Sequence, residues 1–267
     1  MSTKYTSFAV IGAGNVGVPI VQNLLSRGAS VVVLTRLGSS TNSKLPSGAK
    51  VVAVDSTSAE AYAAAFREHE VQVAISTVGS SATMAQYPMA DGAKLAGVEL
   101  FVASEFGSST LGATSGHGGA KEAFARHLAE IGLPSVRIFG GALMHYIPGL
   151  VELQSGKFRI VGKGETKISF TAIEDIAGFT AHVLTTLPPS ELKDAIFRIQ
   201  GECVTLREVA DMYGDTVQVE YVESLSNEFV TMVQRGMNAG AGATGGTSND
   251  LWEGHQWKGI KEVLKIA

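Results

Sequence analysis

Short apolar runs alternate with segments of helical spacing along the first half of the chain. Continuous runs rich in β-branched residues are typical of strands that are buried on both faces. The predicted strands are residues 8–11, 31–34, 51–54, 71–76, 100–103 and 136–139. The segments between them that carry an apolar stripe are the predicted helices 19–27, 59–68, 89–96 and 117–131. This regular alternation predicts an α/β fold built on a doubly wound parallel sheet.

The pattern changes after Gly140, where short glycine-rich pieces replace the alternation. A helix is predicted to begin at Thr171, whose hydroxyl would form a capping box with Glu174. Further predicted elements are a strand at 195–199, a capped helix at 205–213 and a strand at 217–222. Residues 236–247 are rich in glycine and alanine and have no periodicity, which predicts a loop or a mobile flap.

The composition fits a globular chain with a substantial core. Apolar residues make up 45% of the 267 positions, and the formal net charge of −4 argues against a nucleic-acid partner bound through its phosphates. The sequence has no basic run, no apolar stretch of bilayer length and no signal-peptide pattern, so we expect a cytoplasmic protein without membrane contact. The single cysteine, Cys203, excludes a disulfide framework and is predicted as core filler, and the histidine spacing indicates no metal site.

A glycine turn, Gly12-Ala13-Gly14-Asn15-Val16-Gly17, follows the first predicted strand and precedes a helix. Gly12 permits the tight turn, Gly14 lets a pyrophosphate approach the backbone, and Gly17 lets the helix pack closely against the strand. Backbone N–H groups at the helix start then point at one position, where the helix dipole adds positive potential. This context predicts a dinucleotide site that includes Asn15 and Val16.

The end of the second predicted strand indicates which dinucleotide is bound. The strand ends at Thr35-Arg36, without the acidic residue that sites for NAD place there to bind the ribose hydroxyl. A guanidinium suits a 2′-phosphate through charge-assisted hydrogen bonds. We therefore predict NADP(H) as the cofactor, with Arg36 as the discriminating residue and Lys44 as a helper.

Two further strand ends extend this candidate site, since ligands of open α/β sheets bind beyond the carboxyl ends of the strands. The fourth strand is followed by small residues against which a ribose or nicotinamide would rest, and the fifth by a polar turn. The predicted cofactor contacts at these ends are Ser76, Thr77, Val78, Gly79, Ser104, Glu105 and Phe106. The next helix contributes Lys121, which completes a cofactor trough.

Together these motifs resemble the NmrA-like, isoflavone-reductase-like branch of the atypical short-chain dehydrogenases. The resemblance rests most on Ser-Glu-Phe-Gly at 104–107 followed by Lys121 and Arg126, and it extends to about residue 187, with a tail at 251–255 like that of fungal members. We therefore expect an NADP-binding Rossmann domain over 1–140. A mainly substrate-binding lobe would follow over 141–267, in which residues 171–200 return to the Rossmann sheet.

The resemblance implies an NADPH-dependent reductase of a small, often aromatic molecule, with Lys121 at the position of the catalytic lysine of plant members. The tyrosine of ordinary short-chain dehydrogenases is absent, and His117 stands in its place, four residues before Lys121. On a helix the two side chains would share one face, which makes His117 a second candidate acid–base group; a loop position is the alternative. The region 139–142 lacks the asparagine of plant reductases, so the substrate stays open.

Met144, His145 and Tyr146 follow the sixth strand and would line a mostly apolar substrate pocket, with ordinary core packing as the alternative. We expect hydride transfer to a C=C, C=O or quinone-methide-type carbon of a small aromatic or polyketide-like substrate. Two other functions remain open: a redox-sensing regulator that binds NADP(H) without turnover, and a non-redox isomerase or cyclase. We expect a monomer or a homodimer.

Overall fold

The computed structural model describes residues 4–39 and 45–266, and the chain divides into two compact units. The first unit comprises Met1–Glu105, Thr110–Ile138 and Ala177–Phe197, and the second comprises Phe106–Ser109, Phe139–Ile176 and Arg198–Ala267. The described residues form the strands β1 (Ser7–Ile11), β2 (Ser30–Arg36), β3 (Lys50–Val54), β4 (Val73–Ser76), β5 (Leu100–Val102), β6 (Ser135–Phe139), β7 (Ala142–Leu143), β8 (Lys157–Val161), β9 (Ile168–Thr171), β10 (Ala195–Arg198), β11 (Glu202–Val204) and β12 (Gln218–Val222). They also form the helices α1 (Gly17–Ser26), α2 (Ala59–Glu68), α3 (Gln86–Ala96), α4 (Gly116–Glu130), α5 (Ile147–Leu150), α6 (Ile173–Thr186), α7 (Pro189–Leu192), α8 (Leu206–Met212), α9 (Glu228–Gly236) and α10 (Ile260–Leu264).

A seven-stranded sheet in the order β10-β6-β5-β4-β1-β2-β3 is the centre of the first unit. Strand β1 pairs in parallel with β2 on one side and with β4 on the other. The pairs β2–β3, β4–β5 and β5–β6 are also parallel. The chain therefore builds the sheet outwards in both directions from β1 and β4, and the order reverses between their carboxyl ends. This confirms the predicted α/β fold with a doubly wound parallel sheet, the Rossmann type.

Helices cover both faces of this sheet. On one face Tyr62 of α2, Met89 of α3 and Phe124 of α4 belong to one apolar core with the alternate strand residues, and the rings of Phe124 and Phe101 meet edge to face at 5.8 Å. Phe8 and Val10 of β1, which point to the other face, are also fully buried. Because both faces are covered, the strands are continuous apolar runs, which is the pattern that the sequence shows.

The second unit contains two small sheets, in the orders β11-β9-β7 and β12-β8. Strands β9 and β11 are antiparallel, whereas β7–β9 and β8–β12 are parallel. A separate core fills this unit, and its buried members include Met144, Phe158, Phe170, Leu206 and Ile260. No helix in residues 4–39 and 45–266 is long and apolar enough to cross a membrane.

The prediction for the start of α6 was wrong. Thr171 is the last residue of β9, its hydroxyl donates to the Gly140 carbonyl oxygen at 2.6 Å, and the helix begins at Ile173. Ile168, Ser169 and Phe170, which precede Thr171, pair with β11, so the strand takes the position that the cap would need. The cap predicted for the helix over 205–213 is confirmed as a capping box: Thr205 and Glu208 exchange side-chain hydrogen bonds with each other's backbone N–H groups at the start of α8.

The glycine-rich residues 236–247 are not entirely loop. They begin at the end of α9 and continue into a π-helical turn at Met237–Ala241. Thr244 is buried, and its hydroxyl lies 3.1 Å from Ser169 Oγ and donates to the Ile199 carbonyl oxygen at 3.0 Å. Cys203 is only partly buried in β11, so its assignment to the core was wrong.

Candidate cofactor and catalytic site

The glycine turn after β1 is fixed by contacts with two neighbouring strands. Gly12 has a φ of +100°, which favours glycine, and its N–H donates to the Leu34 carbonyl oxygen at 3.1 Å. A Cβ on Gly17 would lie 2.4 Å from the Gly12 carbonyl oxygen and 2.6 Å from Thr77 Oγ1. The Thr77 hydroxyl itself donates to the Gly12 carbonyl oxygen at 3.0 Å. The first residue of α1 therefore packs directly on the turn, and this close approach requires a glycine.

The other side of the turn is open. Gly14 and Asn15 are exposed, and a Cβ on Gly14 would meet no described atom within 4 Å. Helix α1 begins directly after the turn, so the positive end of its dipole lies next to this open backbone. An exposed backbone beside a helix N-terminus suits a pyrophosphate, and the residues present therefore fit a dinucleotide.

Arg36 lies beside this turn, at the end of β2. The register pairs Leu34 with Ile11, the last residue of β1, so Arg36 extends beyond the paired part of the two strands. Its side chain is exposed, whereas the preceding Thr35 is buried. This is the position at which a Rossmann site contacts the adenosine ribose, so a 2′-phosphate would meet a guanidinium here. Lys44, the predicted helper, lies outside the described residues.

The residues after β4 divide between structural and accessible positions. Ser76 is fully buried, and its hydroxyl points to Met89 Sδ at 3.8 Å, which leaves its backbone as the part that a cofactor would reach. Thr77 secures the glycine turn, and Gly79 is exposed. The Val78 carbonyl oxygen accepts a hydrogen bond from Ser104 Oγ at 2.8 Å. This bond joins the turn after β4 to the turn after β5.

A buried charged cluster lies where β5 and β6 meet α4. We call it the Glu105 cluster, and its members are Glu105, Thr110, Lys121, Glu122 and Arg137. Arg137 donates from Nε to Glu105 Oε1 at 3.0 Å, and its Nη2 lies 2.9 Å from the same oxygen and 2.9 Å from Glu122 Oε2. Thr110 Oγ1 accepts from Arg137 Nη2 at 2.7 Å and donates to Glu105 Oε1 at 3.0 Å. The Glu105 carboxylate was predicted to contact the cofactor, but in the structure it is bound by side chains of the protein itself.

Lys121 reaches this cluster from the second turn of α4. Its Nζ donates to the Glu105 main-chain carbonyl oxygen at 3.0 Å and lies 3.7 Å from the carboxylate oxygen Oε2. The side chain is 12% exposed. Burial lowers the pKa of Lys121 below its ordinary value; the Glu105 carboxylate opposes this effect, and the Arg137 charge adds to it. A lowered pKa brings the amine closer to the range in which it exchanges protons readily.

His117 is the second residue of α4, which excludes the loop position considered above. It precedes Lys121 by one helical turn, so the two side chains leave the same face. Burial and the positive charge of Lys121 lower the pKa of His117, against the opposing effect of Glu105. The structure therefore brings together His117, Lys121 and Glu105 in the first unit. Thr110, Glu122 and Arg137 were missed at the sequence level, although a charged residue inside the apolar strand 136–139 was a signal for Arg137.

The remaining predicted site residues belong to the second unit. Phe106 is buried and has a φ of +45°, a conformation that costs free energy in a residue with a Cβ. Met144 is fully buried in the core of this unit, which is the alternative that the sequence left open. His145 Nε2 lies 3.2 Å from Glu174 Oε1, and Tyr146 is 49% exposed. Of the three predicted substrate contacts, Tyr146 and His145 therefore have side chains that a ligand can reach.

Known proteins with similar sequences or structures include several reductases. Leucoanthocyanidin reductase from Desmodium uncinatum is 26% identical over 230 residues, which cover 79% of this chain and 60% of that protein's own length. The complex of leucoanthocyanidin reductase from Vitis vinifera with NADPH has a TM-score of 0.80 at 20% identity, covering 96% of this chain and 97% of that chain. NADPH-dependent quinone oxidoreductase QOR2 from Escherichia coli, with NADPH, has a TM-score of 0.76 at 17% identity, covering 97% and 98%.

The structural similarities show the shared fold. Among the described residues, no group of three or more His, Cys, Asp or Glu side chains is arranged to hold a metal ion.

The model of the NmrA-like family matches residues 5–237, most of the chain. The resemblance found in the glycine turn, in Thr35-Arg36 and in the Ser-Glu-Phe-Gly motif is thereby confirmed, and the chain belongs to the NmrA-like family.

Proposed function

We propose that this protein is an NADPH-dependent reductase of a small aromatic or polyketide-like molecule, with Lys121 as its acid–base group. The observation that carries the proposal is the amine of Lys121, which is nearly buried, hydrogen-bonded to a main-chain carbonyl and lowered in pKa. It lies on the helix that follows β5, in the unit whose glycine turn fits a dinucleotide. A surface lysine would have neither this burial nor this anchoring.

The first unit supplies the residues that would hold the cofactor. The open backbone at Gly14, Asn15 and Val16 would bind the pyrophosphate, and Arg36 would bind the 2′-phosphate of the adenosine ribose. Gly79 and the backbone of the turns after β4 and β5 would form the wall for the second ribose and the nicotinamide. NADPH, when bound, supplies a hydride.

The proton chemistry belongs to the chain's own residues. When hydride reaches a carbonyl or conjugated carbon, negative charge develops on the substrate oxygen, and the Lys121 ammonium donates a proton to it. The amine then regains a proton from solvent. His117, one turn earlier on the same helix face, is placed to pass that proton or to contact the substrate. The carbonyl of Glu105 holds the amine in position throughout.

The relatives support the redox class of this proposal. Two of the similar structures are a reductase and an oxidoreductase solved with NADPH, and their names describe a leucoanthocyanidin and a quinone as substrates. The matched curated relative is a leucoanthocyanidin reductase, of which this chain covers 60%. Small ring systems able to accept a hydride are therefore the substrates to test first.

The test follows NADPH absorbance against a panel of aromatic enones, quinones and benzylic ethers. We expect turnover of at least one class, and we expect Lys121→Ala to lower kcat about 10²- to 10⁴-fold, the usual contribution of a positioned acid. The Kd for NADPH should change little in this variant. Arg207→Gln is the matched control, because it removes a cation from an exposed ion pair with Glu165 in the second unit.

Two outcomes contradict the proposal. If Lys121→Ala turns over at the wild-type rate, Lys121 is not the acid–base group. If the wild-type protein binds NADPH tightly and oxidises it with no member of the panel, the redox-sensing regulator becomes the better interpretation.

A further inference from the structure

Arg137 is a charged residue in the middle of a buried strand. Its neighbours Val136 and Ile138 in β6 are fully buried, and its own side chain is 8% exposed. Burying a guanidinium costs free energy unless charged partners compensate it. The compensation here comes from two carboxylates, Glu105 and Glu122, which both lie 2.9 Å from Nη2. Glu105 is also the residue that Lys121 contacts.

The two oxygens of the Glu105 carboxylate have different partners. Oε1 accepts hydrogen bonds from Arg137 and from Thr110, so the carboxylate is turned towards β6. Oε2 lies 3.7 Å from Lys121 Nζ, beyond hydrogen-bond distance, and has no hydrogen-bond partner among the described residues. Lys121 instead donates to the Glu105 main-chain carbonyl oxygen. The lysine is thus anchored by a neutral group and is kept out of a close ion pair.

We propose that Arg137 is a positioning residue for Lys121: by holding the Glu105 carboxylate through Oε1, it keeps Lys121 on the Glu105 carbonyl and prevents a close Lys121–Glu105 ion pair. The inference rests on the proposed function in so far as Lys121 is the acid–base group. Without the guanidinium, the carboxylate is free to turn towards the amine. A close ion pair would hold the ammonium away from a substrate and make it a weaker acid.

The charges around Lys121 predict the direction in which its pKa shifts when each of them is removed. The groups that face it are Glu105 after β5, Arg137 on β6, and His117 and Glu122 on its own helix. Glu105 raises the pKa of Lys121, whereas Arg137 lowers it. Loss of Arg137 should therefore raise this pKa, both by removing a positive charge and by releasing the carboxylate. Loss of the Glu105 charge should lower it.

The first experiment measures the ionisation of Lys121 without requiring turnover. The 15Nζ and 13Cε resonances of Lys121 in labelled protein are assigned with Lys121→Arg and followed against pH. We expect Arg137→Leu to move the titration to higher pH and Glu105→Gln to move it to lower pH. Arg207→Gln, which removes a guanidinium from an exposed pair, should leave it unchanged. A role in packing alone would not produce opposite shifts.

Arg137→Leu leaves two carboxylates without their cation, so it is paired with a milder variant. Arg137→Lys keeps the charge but lacks the planar fork needed to contact both Glu105 and Glu122. It should shift the titration in the same direction as Arg137→Leu, by less. A Lys121 titration that is unchanged in Arg137→Lys, and in Arg137→Leu where that variant folds, would overturn the proposal.

The second experiment measures reduction of 9,10-phenanthrenequinone by NADPH. Arg137→Lys should lower kcat about tenfold to hundredfold, the usual effect of a misplaced catalytic group, with KM within about twofold. A lowered kcat with an unshifted Lys121 titration contradicts the mechanism proposed for Arg137. If the wild type does not reduce this quinone, kcat is compared on a panel member that it does reduce; absence of turnover across the whole panel counts against the proposed function, whereas the titration still decides the role of Arg137.

Discussion

The close packing of α1 on the glycine turn gives a quantitative prediction for Gly17→Ala. The new methyl group would lie 2.4 Å from the Gly12 carbonyl oxygen, about 1 Å inside an ordinary contact of roughly 3.5 Å. The carbonyl cannot retreat easily, because it belongs to the turn and accepts the hydrogen bond from Thr77 Oγ1. The Thr77 hydroxyl, 2.6 Å from the methyl position, can rotate away, but only by giving up that bond. Overpacking of this kind costs ~1–3 kcal/mol.

Urea unfolding followed by circular dichroism should therefore show a loss of about 1–3 kcal/mol for Gly17→Ala. Gly14→Ala is the matched control, because its methyl group would meet no described atom within 4 Å. We expect Gly14→Ala to retain wild-type stability and to weaken NADPH binding, since the methyl group enters the space assigned to the pyrophosphate. The packing argument fails if both variants are as stable as the wild type. The cofactor assignment fails if Gly14→Ala binds NADPH with unchanged affinity.

Three other substitutions test separate parts of the structure. Arg36→Ala should raise the Kd for NADPH about ten- to hundredfold, since hydrogen bonds to a charged group are worth ~1.5–3 kcal/mol. Calorimetric titration with NADPH and with NADH measures this change. Equal losses of affinity for both cofactors would contradict the 2′-phosphate contact. Thr205→Ala breaks the capping box of α8 and should cost about 1 kcal/mol in urea unfolding, whereas an unchanged midpoint would show that the cap is not stabilising. Burial, with a smaller effect of Asp55, raises the pKa of Tyr62 to about 12 from the ordinary 10.0. The stability that the protonated Tyr62 contributes is therefore complete below about pH 10 and is lost as the pH rises towards 12. Tyr62→Phe should consequently make stability less dependent on pH in that window, and an identical pH slope would refute this assignment.

The first unit follows closely from the sequence because its central strands β1, β2, β4, β5 and β6 are buried on both faces. Such strands appear as continuous apolar runs, and the predicted 8–11 and 136–139 each begin one residue inside the observed Ser7–Ile11 and Ser135–Phe139. Parallel order and the position of the switch point then follow from chain connectivity. Arg36 and the glycine turn could be selected as candidate cofactor contacts for the same reason, since both are defined by the ends of predictable strands.

The second unit was less predictable because its elements depend on distant partners. Helix α9 is the clearest case, since it exposes Phe229 and Met232 and buries Thr231 and Gln234. Gln234 is fully buried and bonds to backbone groups, accepting from Val161 N at 2.7 Å and donating to the Leu150 carbonyl oxygen at 2.7 Å. The helical spacing of Phe229 and Met232 therefore does not mark the face that this helix buries. Its position is set by backbone groups that lie far away in the sequence.

Buried polar residues in apolar surroundings are therefore informative in two different ways, and their partners distinguish them. Gln234 contacts only main-chain groups in these bonds, so it accounts for a local fold and implies no chemistry. Arg137 contacts ionisable side chains, one of which also lies near Lys121. The sequence shows both residues as irregularities in an expected pattern, but it does not show their partners. The proximity of Arg137 and Glu105, which are 32 positions apart in the chain, follows from the adjacency of β5 and β6. Because β5 and β6 are adjacent, the charge in β6 lies beside the acidic turn after β5, and this is where the structure also brings Lys121 to Glu105.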